Sequence, residues 1–426
     1  MTVDDGLPRL GLTHVPIRRP ERAAEAAAMP TAGKATRAAA PLKVLLVEDD
    51  AGDSRLIRVA LSEVREHRFT ITACTTLAEA IRLTQEGVFD VALLDLNLPD
   101  STGLPTLTRV GEVAPELPVV VLTGLSDSSL AAQALEAGAQ DFLVKGDDSG
   151  WAVARAIRHA ITRMAGLRER QALLARMTEE ITTARAMQFD LLPNDDRIRT
   201  ALAGQGLMVE SCFEPSSGIG GDLWGCAPIG LSKMGFFTFD FAGHGIGAAL
   251  NVFRLHTLIR NHADWFADPA EMLQQINGQL ARLLAPGQYA TIFVCCIDSA
   301  ANTLVWSGAG SPSPLLIDGD HMESLETRGL PLGLDAKAHY TNRHVAFPQG
   351  TSLFLYSDGF SEAHDRDGRM IGDFRIMGMA GLVAAEKSDV SPLGRLMDRF
   401  IDIVRQPIED DLTALWITRP TLPESL

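Results

Sequence analysis

The sequence predicts an α/β doubly wound sheet of five parallel strands, joined by a long helix to an α+β sandwich of strands with helices outside. Three observations carry this. Five short apolar runs alternate with helix-period segments between Leu42 and Val144, the pattern of a parallel sheet covered on both faces. From Trp151 to Gln188 the chain reads as helix, broken by no Pro and by Gly166 alone. Beyond Leu207, strand-like runs are separated by Gly-containing turns, with helices inserted as a pair, which is the texture of an α+β sandwich.

Residues 1–40 are rich in Ala, Arg and Pro with little apolar periodicity, and read as a disordered leader in which Glu21–Met29 can form a transient helix. In 41–148 the strand runs are Leu42–Val47, Phe69–Ala73, Asp90–Leu94, Pro118–Leu122 and Asp141–Val144. Helices are expected near Ser54–Val64, Leu77–Gln85, Gly103–Val110 and Ser128–Ala137. In such a sheet the functional loops lie at the C-terminal ends of the strands.

Residues 149–192 form a helical linker. Ile157, Ile161, Met164, Leu167, Leu174, Met177, Ile181 and Ala184 trace an imperfect seven-residue stripe, with arginines on the other faces. Two readings stay open: a short coiled coil with a second copy in a homodimer, or one helix packed on its own domain. The region 193–420 carries strand runs at Gly235–Phe241, Ala290–Ile297, Thr303–Trp306, Pro314–Ile317, Ser352–Tyr356 and Leu412–Thr418, with helices at Gly247–Asn261 and Pro269–Leu284. Residues 421–426 are a tail.

Bulk properties narrow the function classes. A net charge of −16, from Lys+Arg 38 against Asp+Glu 54, argues against nucleic acid or an anionic membrane as partner. The five cysteines, Cys74, Cys212, Cys226, Cys295 and Cys296, show no CxxC pair or zinc spacing and read as reduced, buried thiols. No apolar run approaches the ~20 residues that span a bilayer, and the N-terminus lacks a signal-peptide core. The expected location is the cytoplasm.

A first site lies on the predicted parallel sheet. Glu48 and Asp49 end its first strand, Asp95 the third, Thr123 the fourth and Lys145 the fifth, so these groups converge on one rim. Clustered acids raise one another's pKa unless a cation compensates them, which suits Mg²⁺. A carboxylate beside such an ion, a hydroxyl and an ammonium is fitted to accept a phosphoryl group, with Asp95 as nucleophile. No Gly-rich phosphate loop follows the first strand.

Here the sequence resembles the response-regulator receiver family, over about Pro41 to Asp148. The resemblance rests on Leu46-Val47-Glu48-Asp49-Asp50, Leu94-Asp95-Leu96-Asn97-Leu98-Pro99, Thr123-Gly124 and Phe142-Leu143-Val144-Lys145. It implies phosphorylation of Asp95 by a sensor histidine kinase or phosphotransfer protein. It also implies that Thr123 moves toward the phosphoryl group and that Phe142 changes rotamer. Gly146 departs from the Pro usual after the lysine, which leaves the chemistry intact.

A second site is marked by four blocks: Gly220-Gly221-Asp222, Asp240-Phe241-Ala242-Gly243-His244-Gly245, Ser357-Asp358-Gly359 and Asp410-Asp411-Leu412-Thr413. Each puts an Asp at the border of a strand run, three of them beside glycines that allow close backbone approach. Carboxylates without His or Cys ligands suit Mg²⁺ or Mn²⁺ rather than zinc. Two such ions could activate a water for in-line attack on a phosphate ester.

These blocks resemble the PPM-type serine/threonine protein phosphatases, specifically the bacterial SpoIIE and RsbU branch, from about Ala184 to Thr418. The phrases Ala186-Met187-Gln188-Phe189-Asp190-Leu191-Leu192-Pro193, Tyr356-Ser357-Asp358-Gly359-Phe360-Ser361-Glu362-Ala363 and Gly308-Ala309-Gly310 belong to the same likeness. It implies a β-sandwich covered by helix pairs. It further implies that Asp222, Asp240 (bridging), the Phe241 carbonyl, Asp358 and Asp410 hold the metal pair, and that Asp411 supports them or binds a third ion. Phe241 stands where relatives often have a small apolar residue, and Ser311 where they usually have His; neither change removes a ligand. His244 has two readings, a general acid for the leaving oxygen or a cap for the following helix.

Together the two sites read as a response regulator in which phosphorylation of Asp95 controls a phosphoserine or phosphothreonine protein phosphatase. The branch resemblance points to an anti-sigma-factor antagonist as substrate. The alternative is a catalytically silent, phosphatase-like adaptor that binds a signalling partner under receiver control. A phosphatase acting on a small phosphate ester is also open.

Overall fold

A computed structural model describes residues 11–14, 40–124, 128–146, 149–216, 218–243, 245–386 and 388–421. The chain divides into two compact units, one within Ala24–Thr178 and the other within Glu179–Leu426 together with the strand Gly11–His14.

The first unit is built on a five-stranded sheet in the order Phe69–Cys74, Leu42–Val47, Val91–Asp95, Val119–Thr123, Asp141–Val144. Every pairing is parallel. Val91–Asp95 and Val119–Thr123 are buried at every residue, because helices cover both faces of a parallel sheet and its central strands never meet water. One face packs Leu45, Val47, Leu94 and Val121 beneath the helices Leu77–Glu86 and Leu104–Val113. The other packs Val44, Leu46, Leu93 and Val120 against Ala51–Ser62 and the start of the connecting helix. Parallel alignment of the strands is what places Glu48, Asp95, Thr123 and Lys145, each at or just beyond a C-terminal strand end, together on one rim.

The connecting helix runs unbroken over Gly150–Phe189. Its early residues Val153, Ala154, Ile157 and Ala160 are buried against the sheet of the first unit. Further along, Leu167, Leu174, Met177 and Ile181 are 38–54 % exposed. The first turns of this helix therefore pack on their own domain, and the later stripe is apolar and exposed among the described residues.

The second unit has two sheets. One runs Gly11–His14, Met208–Glu214, Leu412–Thr418, Thr351–Tyr356, Leu315–Asp318, His321–Ser324; the other runs Leu223–Ile229, Lys233–Phe241, Ala290–Asp298, Thr303–Ala309, Arg343–Ala346. Alternation sorts the side chains. Leu353, Leu355, Leu415 and Ile417 enter the large core shared with Phe236, Phe293 and Val294 of the other sheet. Their neighbours Phe354, Tyr356, Ala414 and Trp416 face a second core under the helices Gly372–Ala385 and Pro392–Ile403. Helices Ile246–Arg260 and Pro269–Leu280 add Val252, Leu255, Met272 and Ile276 to the large core. All five cysteines are buried, and among the described residues no helix is long and apolar enough to cross a membrane.

One sequence expectation needs correction. Residues 1–40 read as a leader without strand signal, yet Gly11–His14 pairs in parallel with Met208–Ser211 at the edge of the six-stranded sheet. Four residues with one partly buried apolar side chain, Leu12, cannot show a periodicity. The strand is recruited by the open edge of Met208–Glu214 rather than by its own pattern. The rest of that segment, including Glu21–Met29, lies outside the described residues.

Candidate functional site

The strand ends of the first unit bring the predicted groups together. Lys145 Nζ lies 2.6 Å from Asp95 Oδ2 and 2.7 Å from Glu48 Oε2. It also lies 3.1 Å from Asp53 Oδ2, a partner that sequence reading did not name. Asp53 arrives through the first turn of helix Ala51–Ser62, whose N-cap Asp50 accepts the Gly52 and Asp53 N–H groups at 2.7 and 2.9 Å. Glu48, Asp49 and Asp95 can offer carboxylate oxygens within 4.8 Å of one another, a spacing that suits one hard cation. Burial pushes the Glu48 carboxyl up, against the pull of Lys145. Burial also works against the Lys145 charge, but its contacts with Asp95, Glu48 and Asp53 outweigh this and raise its pKa. Thr123 is buried and its hydroxyl donates to the Leu143 carbonyl at 3.3 Å, while Phe142 stands 36 % exposed.

In the second unit Asp222 precedes the strand Leu223–Ile229, Asp240 lies near the end of Lys233–Phe241, Asp358 begins the short helix Asp358–Ser361, and Asp410 and Asp411 precede Leu412–Thr418. Antiparallel pairing of Thr351–Tyr356 with Leu412–Thr418 brings the last two blocks side by side. The Ser357 N–H donates to the Thr413 carbonyl at 2.8 Å, and the Ser357 hydroxyl accepts the Thr413 N–H at 3.0 Å.

Asp222 is 1 % exposed, and among the described residues its Oδ2 has no hydrogen-bond partner. Burial, followed by the charges of Asp240 and Asp411, holds its carboxyl well above the usual range. Asp240 is pushed up to about 8, by burial first and then by Asp358 and Asp410. Asp358 is pushed up to about 6, by burial and then by Asp410 and Glu362. Carboxylates that repel one another around a buried oxygen form a donor set of oxygens alone, whose chemistry fits Mg²⁺ or Mn²⁺, although no three of them bring ligand oxygens within 4.8 Å of one another as Glu48, Asp49 and Asp95 do.

The glycines are explained by the same crowding. A Cβ on Gly221 would stand 2.8 Å from the Phe241 carbonyl oxygen and 3.0 Å from Asp240 Oδ1. That carbonyl and that carboxylate therefore face the same space. A Cβ on Gly220 would collide with the Asp411 carboxylate, and one on Gly359 with the Asp411 carbonyl. Asp411 orders the loop: Oδ1 accepts the Ser216 N–H at 2.7 Å and its hydroxyl at 3.1 Å, and Oδ2 accepts the Gly221 N–H at 2.7 Å. A cleft of about 530 Å³ opens beside Asp240 and Asp410, with Glu362, His364, Arg405 and Glu409 among its walls. His244 lies outside the described residues.

Comparison with known proteins now adds to the geometry. The response regulator receiver domain model matches residues 44–155, and that of stage II sporulation protein E (SpoIIE) matches residues 232–420. The chain joins a response regulator receiver domain to a SpoIIE-type PPM phosphatase domain. Asp240, Asp358, Asp410 and Asp411 lie within the phosphatase match, and Asp222 lies before it. Phosphoserine phosphatase RsbP of Bacillus subtilis is 23 % identical over 185 residues, 42 % of this chain and 46 % of that protein. The alginate biosynthesis transcriptional regulatory protein AlgB of Pseudomonas syringae is 35 % identical over 103 residues, 24 % of this chain and 22 % of its own length. The chain thus spans less than half of these relatives. Among solved structures, the SiaA-PP2C domain of Pseudomonas aeruginosa aligns with TM-score 0.50 at 23 % identity, over 58 % of this chain and 98 % of that one. That likeness concerns the fold of the phosphatase domain.

Sequence reading missed three contributors here. Asp53, Arg405 and the buried amide of Gln188 are set by contacts distant in sequence. Of these, Gln188 alone carried a signal, its place in the Ala186–Pro193 phrase.

Proposed function

We propose that this chain is a two-component response regulator in which phosphorylation of Asp95 controls a metal-dependent phosphoserine or phosphothreonine protein phosphatase. The observation that carries the enzymatic half is the set Asp222, Asp240 and Asp358, each raised in pKa by burial and by neighbouring carboxylates, with Asp240 lining an open cleft. Asp222, Asp240, Asp358, Asp410 and the Phe241 carbonyl would hold two Mn²⁺ or Mg²⁺ ions. When bound, such ions supply activation of water and neutralisation of phosphate oxygens. The protein's own share is to gather the carboxylates, to keep Asp222 from solvent, and to admit a phosphorylated side chain along the cleft wall formed by Glu362, His364 and Arg405. His244 is proposed as the proton donor to the leaving oxygen.

In the receiver domain Glu48, Asp49 and Asp95 would hold Mg²⁺, with Asp95 as phosphoacceptor. Lys145 is in place to offset charge on the incoming oxygens. The phosphodonor is a sensor histidine kinase or phosphotransfer protein. Thr123 and Phe142 would report phosphorylation, and the Gly150–Phe189 helix would carry the change, with its exposed Leu167, Leu174 and Met177 stripe pairing with a second copy. The proposed substrate is an anti-sigma-factor antagonist; the likeness to phosphoserine phosphatase RsbP supports phosphoserine as the group removed.

Hydrolysis of a generic aryl phosphate by the purified chain, with and without Mn²⁺, tests the enzymatic half. Turnover that requires Mn²⁺ and disappears in both Asp240→Asn and Asp358→Asn supports it. Inactivity that persists after loading the receiver with beryllofluoride would favour the silent adaptor. Equal rates and equal dimerisation for the loaded protein and Asp95→Asn would remove the regulatory half.

A further inference from the structure

The loop that presents Asp222 is tied to the end of the connecting helix by one side chain. Gln188 is fully buried, at 0 % exposure. Its Nε2 donates to the Gly220 carbonyl at 3.0 Å and to the Asp222 carbonyl at 3.2 Å. Its Oε1 accepts the Gly220 N–H at 3.1 Å. One amide thus satisfies three backbone groups on both sides of Gly221. Side-chain amides offer both donors and an acceptor, so no carboxylate, hydroxyl or apolar residue can reproduce all three bonds.

The loop needs this support. Gly220 and Gly221 leave it without side chains of its own, and the crowding around both glycines excludes a stiffer residue. Asp411 holds the Gly221 N–H from the strand side, and Gln188 holds the flanking groups from the helix side. Two further contacts fasten the same stretch to the helix. Arg185 Nη2 lies 3.5 Å from Glu214 Oε1, and a Cβ on Gly218 would collide with Ile181 Cγ2.

We infer that Gln188 is a positioning residue for Asp222: by fixing the Gly220–Asp222 backbone it sets the affinity of the aspartate site for its divalent cation. This rests on the metal-site reading above. Residues that orient metal ligands from behind are typically worth about 10–100-fold in affinity. The helix that carries Gln188 is the one that begins against the receiver sheet, so a shift of its last turn would act on Asp222 through these three hydrogen bonds.

The test is Mn²⁺ affinity by calorimetry on the full chain, with amide hydrogen exchange of Gly220, Gly221 and Asp222 measured on the metal-free protein. Gln188→Met keeps length and helix propensity but loses all three bonds. It should bind Mn²⁺ about 10–100-fold more weakly, exchange those amides faster, and regain phosphatase turnover as Mn²⁺ is raised. Gln205→Met is the control. Gln205 is also buried and donates to a backbone carbonyl, that of Lys233, so its loss should lower the unfolding temperature and leave Mn²⁺ affinity alone. Equal affinities for Gln188→Met and the natural chain overturn the inference. Should Gln188→Met not fold, Gln188→Glu, which keeps the acceptor and loses both donations, must show weakened Mn²⁺ binding, and unchanged binding overturns the inference. Unprotected Gly220 and Gly221 amides in the natural chain also overturn it. Absence of Mn²⁺ binding by the natural chain refutes the metal-site reading itself, and the inference with it.

Discussion

Replacing Asp240 by Asn should stabilise the metal-free protein while abolishing its response to Mn²⁺. Burial and the neighbouring carboxylates push the Asp240 carboxyl from 3.8 to about 8. The folded chain therefore holds a proton that the unfolded chain has released, and stability falls as pH rises between those two values. At pH 7 roughly three pH units of that window have been crossed, which at 1.36 kcal/mol each amounts to about 4 kcal/mol. Asparagine keeps the shape and carries no charge at any pH in the window. For a domain of this size, that stabilisation raises the melting temperature by about 10 °C. The assay is thermal unfolding of both proteins in chelator from pH 5 to 9, then with Mn²⁺ added. The two curves should already differ at pH 5, by about 2 kcal/mol, diverge further toward pH 8, and cross once Mn²⁺ stabilises the natural chain alone. An Asn variant that melts no higher than the natural chain at pH 8 in chelator would refute the argument. So would equal stabilisation of both proteins by Mn²⁺.

Three other perturbations probe the remaining parts. Gly221→Ala places a Cβ 2.8 Å from the Phe241 carbonyl oxygen; it should destabilise by about 1–3 kcal/mol and weaken Mn²⁺ binding, read by melting and calorimetry. Lys145→Met removes the cation from between Glu48 and Asp95; it should cost about 2 kcal/mol in the receiver domain at pH 7 and prevent phosphoryl uptake from a small-molecule donor, followed by intact mass. Arg405 lines the cleft together with Asp240, Glu362, Glu409 and Asp410. Arg405→Ala should raise KM about tenfold for a phosphorylated protein, a loss of about 1.4 kcal/mol, and alter kcat for a small aryl phosphate little; steady-state kinetics on both substrates separates the two.

How far the sequence was legible differs between the parts. The receiver strands could be read because Val91–Asp95 and Val119–Thr123 are buried on both faces and appear as continuous apolar runs, each ended by a polar residue of the rim. The sandwich strands were readable from alternation, which Leu353 and Phe354 realise by facing different cores. Aspartates beside glycines marked the phosphatase loops. What remained hidden depends on contacts across the fold. Asp53 reaches Lys145 only after five strands have been laid side by side. Gln188 reads as one more polar residue at a helix end until the Gly220–Asp222 loop closes over it. Gly11–His14 has no pattern of its own and is ordered by the edge it joins.

The two acidic clusters are built on opposite electrostatic plans, and this bears on how the domains respond to ions. In the receiver domain the acids come with a resident cation: Lys145 bonds Asp95, Glu48 and Asp53 at once. That cluster already holds one positive charge among its carboxylates before any ion arrives, and Mg²⁺ there would offset the charge that Lys145 leaves. In the phosphatase domain, among the described residues, the charges acting most on Asp222, Asp240 and Asp358 are those of other carboxylates. Without a cation this cluster must hold protons or repel itself, and each metal ion bound would displace protons and relieve repulsion in one event. Metal binding and completion of the phosphatase site are then the same process. A regulator need supply only the energy to align one loop, such as the Asp222 loop held by Gln188, for the cation to do the rest.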